Sequence, residues 1–201
     1  MFISIKSDSK KFKKTLKTFE RKHFPKAQAN AINKVLPLLK KGAQIQMKKD
    51  LDRPTPFTTS DRAFYTFKAN DDQIVKKGTV GIKRIQEGYL KRQVFGGKYI
   101  PAKGFVPVPT DDADLNKYGN LVGSRKTRLK RKGYFAKKIG NVDGVWQRRG
   151  NQLVLIAQFA KSINYVKRPF KFFEAGQRIT KKHFPKRLRI ELQKAIKRSL
   201  R

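Results

Sequence analysis

Cysteine is absent from the 201 residues, histidine occurs twice, and only 14 aspartates and glutamates stand against 50 lysines and arginines. The missing cysteine removes disulfides, thiolate nucleophiles and cysteine zinc sites together, and leaves the redox compartment unreadable. The shortage of acid gives a formal charge of +36, so the isolated chain repels itself and needs an anionic partner or acidic neighbours. Long apolar runs are missing too. Val35 to Leu39 and Leu153 to Ala157 fall far short of a bilayer span, and MFISIKSDSK has no apolar stretch followed by a small-residue cleavage site. Neither a membrane protein nor a secreted one is expected.

What is present suits one ordinary domain, 1–201, with a modest core in which 15 phenylalanines are prominent. Phe2, Ile3 and Ile5 alternate with polar residues and predict a short strand, closed by the helix caps Asp8 and Ser9. From Lys10 to Lys22, Phe12, Leu16 and Phe19 recur at four and three residues among lysines, the pattern of a basic amphipathic helix. AQANAINKVLPLLKKGAQIQMKKD predicts a long helix bent at Pro37 and loosened at Gly42. Ala63 to Lys68 reads as an aromatic strand, QIVKKGTVGIKR as extended chain turning near Lys77-Gly78, and IQEGYLKRQVFGG as a helix stopped by two glycines. The stretch 96–126 is so dense in proline, glycine and asparagine that an irregular arm is expected. Three short runs separated by glycine turns, GYFAKKIG, GVWQRRG and QLVLIAQFA, then predict an antiparallel meander, and Leu188, Leu192, Ala195 and Leu200 mark one face of a terminal basic helix. The fold class is therefore α+β: long amphipathic helices packed on a small antiparallel sheet, with an extended irregular arm.

Both histidines lie in copies of one pentapeptide, Lys22-His23-Phe24-Pro25-Lys26 and Lys182-His183-Phe184-Pro185-Lys186. A metal or catalytic pair would need further ligands and would suffer from the flanking lysines. A joint fits each residue instead: the position before proline avoids the α region, proline opens a helix, and cations favour the end of the preceding one. Two helix-break-helix joints, with Phe24 and Phe184 turned into the core, are the expectation. Asp111, Asp112 and Asp114 form an acidic cluster without the spacing of a calcium loop, and no phosphate loop, dinucleotide fingerprint or nucleophile elbow is found. Catalytic residues, metal and cofactor are all expected to be none.

Arg125, Lys126, Arg128, Lys130, Arg131, Lys132, Lys137 and Lys138 fall within fourteen positions with no acid among them. Such a block is either a solvated loop or a polyanion contact, and its density favours phosphate neutralisation without base reading. In the arm, Val106, Val108 and Leu115 are candidate apolar anchors and Asp111, Asp112 and Asp114 candidate polar contacts, ordered only against neighbouring subunits.

The segments AQANAINKV, GYLKRQVFGGKYIP, PVPTDDADLNKYGN, GVWQRRG and PFKFFEAGQRITKKHFPKRLRIELQKAI together resemble the minor tail protein Z, or tail completion, family of tailed bacteriophages and prophages. The resemblance spans most of residues 25–200, and Pro37 departs from its alanine-rich helix. It implies a non-enzymatic virion protein at the head-proximal tail or neck, made in the bacterial host cytoplasm. The implied partners are tail tube, terminator or connector proteins, further copies in a ring, and the end of the packaged double-stranded DNA. An RNA-binding protein of ribosomal type would carry the same charge, and a structural adaptor could set its lysines against acidic protein neighbours alone.

Overall fold

A computed structural model describes residues 8–102, 104–166 and 169–200; the strand expected at Phe2, Ile3 and Ile5 lies outside them. The architecture is α+β, with long helices and small antiparallel sheets. The chain gathers into two compact units, one drawn from Met1–Met47, Ser60–Arg84 and Lys171–Arg201, the other from Lys48–Thr59 and Ile85–Phe170.

In the first unit, Asp8 accepts a hydrogen bond from the Lys11 amide at 2.9 Å and starts helix α1, Ser9–Thr18. The helix does not stop at the first Lys-His-Phe-Pro-Lys. It passes through a π-helical turn, Phe19–His23, directly into α2, Phe24–Asp50. The second copy lies inside α6, Phe172–Ser199, with Pro185 in the helix interior. The expected joints are therefore corrected to continuous helix. At Pro25 the π turn has already shifted the ladder, since the Phe24 amide donates to the Phe19 carbonyl, so the proline falls where the bonding register changes. At Pro185, packing on either side outweighs the lost bond: Phe184 lines a cavity against Val35, Leu36 and Leu39, and Leu188 is half-buried. Phe24 is 36% exposed, its ring 6.2 Å from that of Phe19, so it is not a core residue.

α2 and α6 pack closely because small residues lie at their contact. A side chain on Gly42 would collide with the Ile179 Cδ1, and Ala43, Ala175 and Ala195 are buried. Lys34 reaches Glu191 at 2.5 Å. Since Gly42 meets Ile179 while Lys34 meets Glu191, the two helices run antiparallel. Glu191 is buried and takes a second hydrogen bond from Lys194 at 3.3 Å. The bond from Lys34, more than that from Lys194, holds the Glu191 carboxyl below its ordinary value against the opposing effect of burial. The α6 stripe includes Leu188, Leu192 and Ala195 as the spacing predicts, but Leu200 is 75% exposed, because after Ala195 the buried side passes through Ser199. Strand β1, Phe64–Phe67, pairs antiparallel with β2, Thr79–Ile82. The Asn33 side chain donates to and accepts from the Ala69 backbone at 2.9 and 2.7 Å, tying the segment after β1 to α2.

The second unit holds the short helix α3, Pro56–Thr59, helix α4, Arg84–Phe95, whose Arg84 belongs to the first unit, and α5, Arg125–Leu129. Its strands are β3, Gly97–Tyr99, β4, Val106–Pro109, β5, Tyr134–Ile139, β6, Val142–Arg149, β7, Gln152–Ala160, and β8, Ile163–Tyr165. One sheet has the order β4-β7-β6-β5, and β3 pairs with β8. The expected meander is β5-β6-β7. Its two-residue turns place Gly140 and Gly150 first, with φ 57° and 60°, the positive φ that a type II′ hairpin requires. Ile156 is the extra residue where Val145 pairs with Ala157 but Trp146 with Leu155, and the bulge turns it into the core with Val145 and Ala157.

The 96–126 arm is not irregular throughout. Val106–Pro109 is an edge strand on β7, Leu115 bridges Leu121, and Ala113 and Leu121 pack on the Val145 core. Prolines 107 and 109 alternate along the edge, where the N–H each lacks can face away from β7. Thr110 then donates its amide to the Ile156 carbonyl at 3.1 Å.

The contact at Gly42 predicts that Gly42→Leu costs about 1–3 kcal/mol by overpacking. Gly176, in α6 with nothing within 4 Å of an added Cβ, behaves oppositely: Gly176→Ala gains about 0.5–1 kcal/mol in helix entropy. Urea unfolding of the two variants, with opposite shifts of the midpoint, checks both.

Candidate nucleic-acid interface

Each unit carries its own surplus of cations: 29 Lys and Arg against 7 Asp and Glu in the first, 21 against 7 in the second. The carboxylates that do pair draw on Lys34, Lys40, Arg53, Arg131, Arg149 and Lys194. Fourteen acids cannot match fifty cations, so most positive charge has only water or a partner to face.

The block from Arg125 to Lys138 divides once folded. Ser124 caps α5 by accepting from the Thr127 amide at 3.2 Å, and this turn aims Arg128 inward. Arg128 is buried and donates to the Gly123 carbonyl at 2.5 Å and the Val122 carbonyl at 3.4 Å. Burial, then the neighbouring Arg131 cation, lowers its guanidinium from the ordinary value. Arg131 is held by Asp114 at 3.3 Å. Arg125 lies over the rings of Phe105 and Phe159, 5.1 Å from each centroid. Lys137 and Lys138 are exposed neighbours on edge strand β5 and so point to opposite faces of the sheet. Lys126, Lys130 and Lys132 are exposed. Of the eight predicted residues, Arg125, Lys126, Lys130, Lys132, Lys137 and Lys138 are exposed to a polyanion, while Arg128 and Arg131 hold the fold.

The acidic cluster is used within the chain as well. Asp114 meets Arg131, and Asp112 meets Arg149 at 3.5 Å while its carbonyl accepts from the same guanidinium at 3.3 Å. Asp111 is exposed, as are Val108 at 38% and Leu115 at 40%, whereas Val106 is half-buried in the edge strand. Two of the three acids expected to meet a neighbour thus already have partners in their own unit.

A second basic surface escapes a reading by charge density, although the sequence holds its signal. Arg178, Lys182, Lys186 and Arg189 are all exposed on α6. At about 100° per residue they fall within an arc of about 80°, and at about 1.5 Å per residue they span about 16 Å. Their spacing of four, four and three is the signal, masked by the cations interleaved on other faces. Arg178 is anchored by Gln46, to which it donates at 3.0 Å. A depression of about 530 Å³ beside it is lined by Glu174, Gln177, Arg178, Lys181 and Lys182. Such a row matches a line of phosphates better than the divided 125–138 block. Both histidines are half-buried in helices of the first unit, and no group of three or more His, Asp or Glu is placed to hold a metal among the described residues.

Separating the two roles gives a direct expectation. Arg128→Gln should lower stability by about 1–3 kcal/mol through the abandoned Val122 and Gly123 carbonyls, with duplex-DNA affinity unchanged. Lys126→Gln with Lys132→Gln should change stability by less than about 0.5 kcal/mol and weaken DNA binding; chemical denaturation and fluorescence anisotropy read the two effects. No protein-family model matches this chain, and neither a curated protein nor a solved structure matches it.

Proposed function

We propose that this chain is a non-enzymatic structural protein of a phage virion, placed at the head-proximal tail or neck, that holds packaged double-stranded DNA by its phosphates without reading bases. The observation that carries the DNA contact is the exposed row Arg178, Lys182, Lys186 and Arg189 on a rigid helix, in a chain whose cations outnumber its acids by 36. Cations fixed along a helix meet successive phosphates and release the counterions condensed there, a sequence-independent gain. The virion placement rests on the tail-completion resemblance, which spans most of residues 25–200. It accords with the apolar side chains left exposed in both units, among them Phe67, Phe173, Phe57 and Phe95, each more than half exposed, since subunits of an assembly keep such surface for neighbours.

Binding to two unrelated duplexes, titrated across salt, tests the reading. Equal affinities that fall steeply with salt are expected. Lys182→Gln, Lys186→Gln and Arg189→Gln together should lower the slope of log affinity against log salt by about 2.7, at about 0.9 for each phosphate no longer neutralised. A flat salt response, or strong preference for one duplex, would overturn the DNA contact.

A further inference from the structure

Among the described helices of eight residues or more, α1 is the one that buries none of its residues. Phe12 is 67% and Leu16 53% exposed, although their spacing is that of a packed helix face. The antiparallel pairing explains why. Gly42 lies against Ile179 and Lys34 against Glu191, so lower numbers on the first helix meet higher numbers on α6. Extending the register brings the π turn Phe19–His23 to the last turn of α6, and the turn does contact that helix. α6 ends at Ser199, so α1 lies beyond the end of that helix, and none of its residues is buried. Its ten residues overhang by about 15 Å.

We propose that α1 is a docking helix whose Phe12 and Leu16 seat in an apolar groove, rimmed with carboxylates, on a different protein. Lys10, Lys11, Lys13, Lys14 and Lys17 surround the stripe, and the helix itself holds no acid, so the seat must bring negative charge. Each other occupant fails on a particular feature. DNA phosphates reward the lysines but give a phenyl ring and an isobutyl group nothing. A lipid surface takes a broad apolar face, whereas Phe12, Leu16 and the half-buried Phe19 cover an arc of only about 60°, narrower than the roughly 100° stripe of a helix packed on one broad face. Anchors four residues apart on a narrow stripe are how a helix is read by a groove.

A second copy fails on charge. The apolar cavities beside α2 and α6, about 460 and 280 Å³, carry Lys181, Lys76 and Lys77 in their linings. A third, about 510 Å³, is lined by Asp50 and Asp52 but also by Arg53, which already pairs with Asp52 at 2.9 Å. In the acidic cluster, Asp112 and Asp114 are taken up by Arg149 and Arg131. Docking through α1 is independent of DNA binding, which uses another helix.

Benzoylphenylalanine in place of Phe12, in the full chain produced in its natural host, tests it by photo-crosslinking. The expected product is one protein adduct, at a peptide carrying aspartate or glutamate beside apolar residues. Leu16→Ser should abolish that adduct while duplex-DNA affinity stays within about twofold, since every phosphate-binding cation is retained. Lys13→Glu with Lys17→Glu should abolish it through charge, with helicity retained by circular dichroism. Adducts to lipid, nucleic acid or the chain's own copies, absence of any adduct, or an adduct that survives the charge reversal would each overturn the docking role. Loss of DNA binding with the adduct intact would instead count against the DNA reading alone.

Discussion

Repulsion between like charges is the constraint to which the structure answers. α2 and α6 both carry many lysines and arginines, and they stay together through close approach and one buried acid. Gly42 admits Ile179, alanines line the contact, and Glu191 stands between Lys34 and Lys194. A buried carboxylate bridging two cationic donors offsets part of the repulsion between the helices. Elsewhere the cations must face outward. That requirement keeps the buried stripe narrow and rich in small residues, and larger apolar side chains such as Ile45 and Ile196 stay about half exposed.

The second unit meets the same constraint differently. Its sheet is protected at one edge by a strand carrying Pro107 and Pro109 and at the other by Lys137 and Lys138, devices that discourage further strand pairing. Asp112 and Asp114 bind Arg149 and Arg131 across the loop and secure the segment between β4 and α5. Charge that looks available in the sequence is committed to the fold there. On α6, Arg178 is held by Gln46, while Lys182, Lys186 and Arg189 continue its row exposed.

Much of the fold is legible in the sequence wherever one periodicity dominates. The α1 stripe, the β1 strand, the hairpins at Gly140 and Gly150 and the Leu188-Leu192-Ala195 face all follow from spacing and turn chemistry. The prolines mislead because a local rule meets a tertiary one: Pro25 and Pro185 break isolated helices, yet a π turn and packing around Phe184 and Leu188 carry the helix through. β4 is hidden because its ladder partner lies about fifty residues away on β7, a separation that alternation in a proline-rich run does not reveal. The candidate site is half legible. Density identifies the 125–138 block, but burial of Arg128 and pairing of Arg131 depend on the α5 turn and on Asp114, and only folding brings those together. The α6 row needs no structure, only the helical period applied to cations instead of apolar residues.

Unmatched positive charge should strain the folded chain, and screening or a polyanion should relieve it. Thermal unfolding across sodium chloride from about 20 to about 300 mM tests this directly, the upper end bringing the screening length well below about 10 Å. The midpoint should climb steadily with salt, and at the lowest salt a short duplex of arbitrary sequence should raise it further. A midpoint that stays level or falls as salt increases, with no response to duplex, would contradict charge repulsion as the governing constraint.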